Sequence, residues 1–109
     1  ALLPDRVRVE TRYDAKLARQ IYAGSDIFLM PSRYEPCGIS QMIAMRYGSV
    51  PLVRAVGGLH DTVTDSETGF VFVDKKVKSF NDTLKRALQV FPDRERWVNL
   101  QKAGMAQDF

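Results

Sequence analysis

Between Pro31 and Gln41 the chain sets a carboxylate, a proline, a thiol and a glycine in succession, Glu35-Pro36-Cys37-Gly38, followed by Ile39 and Ser40. An apolar run, Ile27 to Met30, precedes them, and an amphipathic helical pattern from Ser40 to Tyr47 follows. They therefore occupy a strand-to-helix turn, where open parallel α/β sheets bind ligands beyond the carboxyl ends of their strands. A helix beginning after Gly38 presents free N–H groups and a dipole that favour an anion such as phosphate. Gly38 lets such a group approach the backbone closely, and Ile39 and Ser40 add amides and a hydroxyl. The plainer alternative, a turn glycine with Ser40 as N-cap, is compatible with that role. Glu35 could accept hydrogen bonds from ribose or sugar hydroxyls, or stabilise positive charge at a reacting sugar carbon. A solvated loop glutamate is the alternative, although Pro36 fixes the backbone and aims the side chain at the strand ends.

Three further groups fall at the same edge. Gly57-Gly58-Leu59 makes a second glycine-led helix start after a strand, either a surface for a substrate group or a tight turn. Tyr13 follows one strand and precedes a helix cap, so its ring either stacks on a nucleobase or packs at the rim. A helix start activates thiols, yet no basic partner stands near Cys37, which reads as a site-lining thiol and not a nucleophile. His60 stands near Asp61 and Asp65 and reads as a surface residue; no serine is placed for a Ser-His-Asp system.

These groups need elements to hold them. Arg6 to Glu10 alternates like a short strand, and Asp14 caps a helix over 15–23 with Leu17, Ile21 and Tyr22 on one face, ended by Gly24 in a left-handed conformation. Ile27 to Met30 reads as a central strand buried on both faces. The helix after Gly38 is expected to turn Ile39, Met42, Ile43, Ala44 and Met45 inward and to end at Gly48. Val50 to Val53 makes the next strand, with Pro51 tolerated near its start. A short helix over 59–63, turn chemistry over 65–69 and a strand over 70–73 follow. Ser79 is read as the cap of a helix to about Val90 carrying Phe80, Leu84, Ala87 and Leu88 inward; Pro92-Asp93 breaks it before a last helix over 94–106. Phe91 and Trp97 suit helix packing. Strand–helix alternation with about four strands predicts a parallel, doubly wound α/β sheet with right-handed crossovers.

Bulk properties narrow the function classes. The 109 residues are 45% hydrophobic and 27% charged, ordinary for a soluble globular fold. A net charge of +3 is mild. The one dense basic cluster, Lys75, Lys76 and Lys78, lacks the aromatic interleaving of a nucleic-acid surface and reads as a solvated loop or helix start, its sign suiting an anionic ligand. One Cys and one His exclude an internal disulfide and argue against structural zinc. No apolar run approaches the ~20 residues of a membrane span. The chain opens without Met and stops in mid-pattern, so a piece of a longer protein is expected.

Taken together the motifs resemble the C-terminal, nucleotide-sugar-binding half of bacterial glycogen synthases and plant starch synthases. They are Tyr13-Asp14, Ile21 to Asp26, Pro31 to Gln41, Ala44 to Gly48, Pro51 to Arg54, Gly57 to Val63 and Gly104 to Phe109. The resemblance covers nearly the whole chain and is most specific around Glu35. It implies that residues 1–109 are part of the Rossmann-like C-terminal domain of a GT-B enzyme, a retaining glucosyltransferase. Such enzymes move glucose from ADP-glucose, or UDP-glucose in some relatives, to the non-reducing end of an α-1,4-glucan. Other readings are another retaining GT-B transferase and a non-catalytic nucleotide- or glucan-binding module.

By position, the resemblance makes Glu35 the essential glutamate near the donor glucose and its phosphates. Cys37 and Gly38 line the donor pocket, and Ile39 and Ser40 donate to the distal phosphate. Tyr13 stacks on adenine, and Gly57, Gly58 and Leu59 form the glucose-side loop. Ile43 stands where wider GT-B enzymes carry a second glutamate, which favours this family over sucrose- and trehalose-phosphate-type relatives. No metal or other cofactor is implied, so helix-terminal amides and cations would stabilise the leaving diphosphate. Expected partners are ADP-glucose or ADP, and a glucan held by a missing N-terminal domain; neither nucleic acid nor membrane is expected. The compartment implied is bacterial cytoplasm or plant plastid. The upstream Arg/Lys pair and the glucan-binding domain are not in the chain, so by itself it is expected to be inactive.

Overall fold

A computed structural model of the chain describes residues 5–32 and 38–109. Eight elements follow one another: α1 (Ala15–Gly24), β1 (Ile27–Met30), α2 (Ser40–Arg46), β2 (Val50–Arg54), α3 (Gly57–Thr62), β3 (Phe70–Phe72), α4 (Val77–Val90) and α5 (Arg94–Met105). The strands form one parallel sheet in the order β1-β2-β3. Ile27 stands opposite Val50, and Leu52 opposite Phe70. The expected α/β architecture with a parallel sheet is what the residues build, with three strands among the described residues where about four were expected.

Strand periodicity distributes the core. On one face Val50, Leu52, Phe70 and Phe72 meet Ala87 and Val90 of α4 and Trp97 and Leu100 of α5. On the other, Val53 packs with Met45 of α2, Leu59 of α3 and Val63. Helices thus cover both faces of β2, and side chains alternate between two clusters as a pleated strand requires. Each such buried side chain contributes about 1.5–3 kcal/mol relative to exposure. Trp97 is 0% exposed. Its ring lies 6.3 Å from Phe70 and meets Phe91 edge-on at 5.0 Å, the packing role expected of it.

Pro51 sits in the central strand for a legible reason. Val50 donates its N–H to Asp26 O on the β1 side. The following residue faces β3, but pairing with β3 begins only at Leu52, so no amide is needed at Pro51.

Several local expectations are corrected. Residues 6–10 form no strand: they are exposed, and no strand among the described residues runs alongside them. Among the described residues β1 lies at the edge of the sheet and is half-buried, where a central strand was expected. Gly24 is the last residue of α1 and has no positive φ; Ser25 leaves the helix in extended conformation, its N–H returned to Ile21 O, because the chain passes directly into β1. α1 buries no residue, Ile21 is exposed, and Tyr22 instead packs on Phe28 and Tyr47. In α2 the buried set is Gln41, Ala44 and Met45, whereas Ile39 and Ile43 are exposed. Ser40 is the first helical residue and Ile39 the N-cap, with no side-chain capping bond. α4 starts two residues before Ser79, with Lys76 as N-cap and no side-chain capping bond; Asp74 accepts from the Lys76 amide at 2.8 Å just before the helix. Leu88 faces solvent while Thr83 and Val90 turn inward. Asp14, Asp93 and Gly48 end or start their helices as expected.

Candidate functional site

The carboxyl ends of the three strands converge on one edge. β1 gives Met30, Pro31 and Ser32; β2 gives Arg54; β3 gives Phe72. Arg54 Nη1 donates to Ser32 O at 3.1 Å and so ties the end of the central strand to the segment leaving β1. Beside it lies a cleft of about 170 Å³ lined by Pro31, Arg54, Phe72, Lys75, Lys76 and Phe80 among others. Three cations around an apolar floor suit an anionic ligand. The carboxylate of Asp74 shares that edge. The Lys76 amide, the Ser79 hydroxyl and the charges of Lys76 and Arg54 hold Asp74 below the usual carboxylate range, so it already serves the N-terminus of α4.

The turn after β1 re-enters the described chain at Gly38. This residue is buried and has φ +59°, a conformation that a side chain disfavours. The first intrahelical acceptor is Ile39 O, which receives the Met42 and Ile43 amides at 3.0 and 3.1 Å. The Ser40 and Gln41 amides precede that first bond, as at any helix start. Ser40 is half-buried, and the Ile39 side chain points to solvent.

The second glycine turn lies after β2. Gly57 has φ +49° and opens α3, two residues earlier than expected. Gly58 is half-buried and its carbonyl accepts from Thr62 Oγ1 at 2.8 Å. Leu59 differs from the reading of it as a lining residue. Its side chain is 0% exposed in the cluster around Met45 and Val53, and its amide is already given to Val56 O at 3.0 Å. Leu59 therefore anchors the loop from below.

Gly38 and Gly58 are linked through two side chains, Gln41 and Thr62, that sequence reasoning left without a role. Gln41 is 0% exposed; its Nε2 donates to Gly38 O and, at 2.8 Å, to Thr62 Oγ1. The signal was available: a polar residue at a helix position whose spacing to Ala44 and Met45 places it on the buried side. Arg54 was likewise without a role, although a cation closing a buried strand is a strong cue.

Tyr13 stands apart from this arrangement. Its ring is 96% exposed at the entrance to α1, beside a shallow depression lined by Glu10, Arg12, Leu17 and Ile21. Its exposure leaves the ring open to stacking, and no ring contact among the described residues holds it. Glu35 and Cys37 lie outside the described residues, as does the His60 side chain. Among the described residues no cluster of three or more His, Cys, Asp or Glu side chains could hold a metal ion. No helix among them is long and apolar enough to cross a membrane.

A larger cavity, about 410 Å³, lies at the other end of β3 between α4 and α5, lined by Ser66, Phe70, Arg86, Asn99 and Leu100 among others. Its main cation is already engaged. Arg86 makes two bonds to Asp65, at 2.8 and 2.9 Å, a third to Ser66, and lies over the Phe70 ring. The glycine turns and strand ends are on the opposite edge, which is where the candidate site is placed.

A parallel sheet with glycine-opened helices along its carboxyl edge is the architecture of an α/β ligand-binding domain. Comparison with known proteins gives the family: the model of glycosyl transferases group 1 matches residues 1–103, and the chain belongs to that family. Curated relatives include the glycogen synthase of Koribacter versatilis (strain Ellin345), 50% identical over 97% of this chain and 23% of the relative. The glycogen synthase of Anaeromyxobacter sp. (strain K) is 51% identical over 96% of this chain and 23% of its own length. The chain thus spans about a quarter of these relatives. Among solved structures, the catalytic domain of starch synthase IV from Arabidopsis thaliana, bound to ADP and acarbose, superposes with a TM-score of 0.92 at 43% identity, covering 96% of this chain and 23% of that one. Sucrose-phosphate synthase from Thermosynechococcus elongatus gives 0.79 at 29% identity, over 95% of this chain and 25% of that one.

Proposed function

We propose that the chain is the donor-binding part of a starch or glycogen synthase, which transfers glucose from ADP-glucose to the non-reducing end of an α-1,4-glucan with retention. The observation that carries this reading is the 0.92 superposition, at 43% identity, on a starch synthase catalytic domain bound to ADP and acarbose. The local geometry is compatible with it. Gly38 at positive φ lets a phosphate approach the start of α2, where the Ile39 and Ser40 amides and the Ser40 hydroxyl can donate. Gly57 and Gly58 supply backbone for the glucose side, with Leu59 acting from the core. Tyr13, held by no packing, stacks on adenine.

The reaction breaks the bond between the glucose anomeric carbon and the diphosphate oxygen, and the acceptor hydroxyl forms the new bond on the same face. In this reading Glu35 sits near the donor glucose. Charge on the departing ADP is met by helix-terminal amides and by cations. Arg54 stands at the same edge. The reading includes no metal or other cofactor. The glucan is bound mainly by the missing N-terminal domain, and the enzyme works in bacterial cytoplasm or plant plastid.

Incubating the full-length enzyme with glycogen and either ADP-glucose or UDP-glucose tests the reading. Glucan extension with ADP-glucose, lost in Glu35→Ala, is expected. No extension with either donor would overturn it, and a near wild-type rate in Glu35→Ala would remove Glu35 from the chemistry.

A further inference from the structure

Gln41 holds a position that an apolar residue could fill. It is the second residue of α2, fully buried, on the same side of the helix as Ala44 and Met45. Both hydrogens of its amide nitrogen are committed, one to Gly38 O and one to Thr62 Oγ1 at 2.8 Å. Thr62 passes its own hydrogen to Gly58 O, also at 2.8 Å. A continuous relay therefore runs from the carbonyl of one glycine turn, through α2 and α3, to the carbonyl of the other. Contact reinforces the hydrogen bonds at the first turn. A β-carbon on Gly38 would stand 2.9 Å from Gln41 Nε2 and 3.1 Å from Oε1, so the backbone there rests directly on the amide. Gln41 Oε1 is buried without a hydrogen-bond partner, a cost that methionine of similar size would avoid.

The amide nitrogen meets both acceptors at once, which an apolar side chain of the same size does not. Both acceptors need a donor, and a carboxylate in its place has none. Two glycine turns with positive φ, Gly38 and Gly57, are permissive by themselves, and their relative placement must come from something stiffer. We propose that Gln41, acting with Thr62, is the positioning residue that sets the two donor-binding turns at a fixed separation, so that the phosphate side and the sugar side of the nucleotide sugar are gripped in one register. This deepens the donor-site reading and rests on it.

The test uses the full-length enzyme with Gln41→Met, Thr62→Val and their combination. Donor KM and ADP Kd rise about tenfold in Gln41→Met, the acceptor KM stays within about twofold, and the double variant is no worse than the worse single one. A purely structural role would instead lower melting temperature and kcat and leave both KM values in place. Amide hydrogen exchange without ligand supplies a second readout. In Gln41→Met, residues 57–59 exchange faster although none of them is altered. Unchanged exchange at 57–59, or multiplying effects in the double variant, overturns the proposal. If Gln41→Met does not fold, Thr62→Val alone carries the same two readouts. Wild type that fails to bind ADP sinks the donor reading, and exchange still decides the link. Wild type that binds ADP, with Gln41→Met binding equally well, sinks the link alone.

Discussion

Gly69 lies so close to Pro51 that a β-carbon added to it would stand 2.5 Å from the Pro51 carbonyl oxygen. The same atom would come within 2.8 Å of Val63 Cγ1, so the entrance to β3 is closed on two sides. This contact lets β3 approach β2 one residue after the proline, where ladder pairing begins. Gly69→Ala must move backbone to fit, and a loss of about 1–3 kcal/mol is expected. Urea denaturation measures it, and a loss under about 0.5 kcal/mol would mean that the Pro51 strand yields freely.

Trp97 is the only tryptophan and is wholly buried between Phe70 and Phe91. Trp97→Phe leaves part of that volume empty and is the milder change; Trp97→Ala is expected to cost about 3–5 kcal/mol. In the unaltered protein its emission should shift to the red in a single step that coincides with loss of helix by circular dichroism. Separate transitions would show that the Phe70–Trp97 cluster does not unfold with the rest.

The Asp65–Arg86 pair predicts a pH effect. Partial burial raises the Asp65 carboxyl, but the Arg86 and Val71 hydrogen bonds, the Arg86 charge and Ser66 outweigh it, and the group titrates below its ordinary 3.8. A depressed carboxylate stabilises the fold above its unfolded value, and the contribution is lost as pH falls through the folded one. Both side chains are about two-fifths exposed, so screening limits the effect of Asp65→Asn to about 1 kcal/mol at pH 7. The difference between wild type and Asp65→Asn should shrink as pH falls below 3.8. A gap that widens on acidification would contradict the assigned sign.

Tyr13 offers a clean separation of binding from stability. Its ring is exposed and unpacked, so Tyr13→Ala should leave the melting temperature nearly unchanged. If the ring stacks on adenine, the change should weaken ADP binding by about 1–3 kcal/mol, read by calorimetry on the full-length enzyme. Unaltered ADP affinity would leave Tyr13 as a rim residue only.

Much of this was readable in the chain itself, and the failures have physical causes. The α/β order, the apolar strands, the cap at Asp14, the stop at Gly48 and the break at Pro92-Asp93 follow from local chemistry that tertiary contacts did not override. Residues 6–10 alternate like a strand, but alternation cannot supply a strand to pair with, and none among the described residues pairs with them. The inward face of α2 was misread because apolarity was taken as the marker of burial. Ile39 and Ile43 are exposed while Gln41 is buried, since the position of α2 over β2 decides which residues turn inward. The two glycine turns were located from their residue types. The amide that joins them was not, because a bond from Gln41 to Thr62 spans 21 residues and has no local signature.

The two faces of the sheet have different burdens. The aromatic cluster of Phe70, Phe91 and Trp97 sits with α4 and α5, whereas both glycine turns belong to α2 and α3. Sequence drift in the cluster of Phe70, Phe91 and Trp97 therefore alters how firmly the domain holds together at a distance from the strand ends where the candidate site is placed. In the donor-site reading, change at the exposed surface of the α2–α3 turns retunes selection, provided that the buried Met45, Val53, Leu59 and Val63 beneath them are kept.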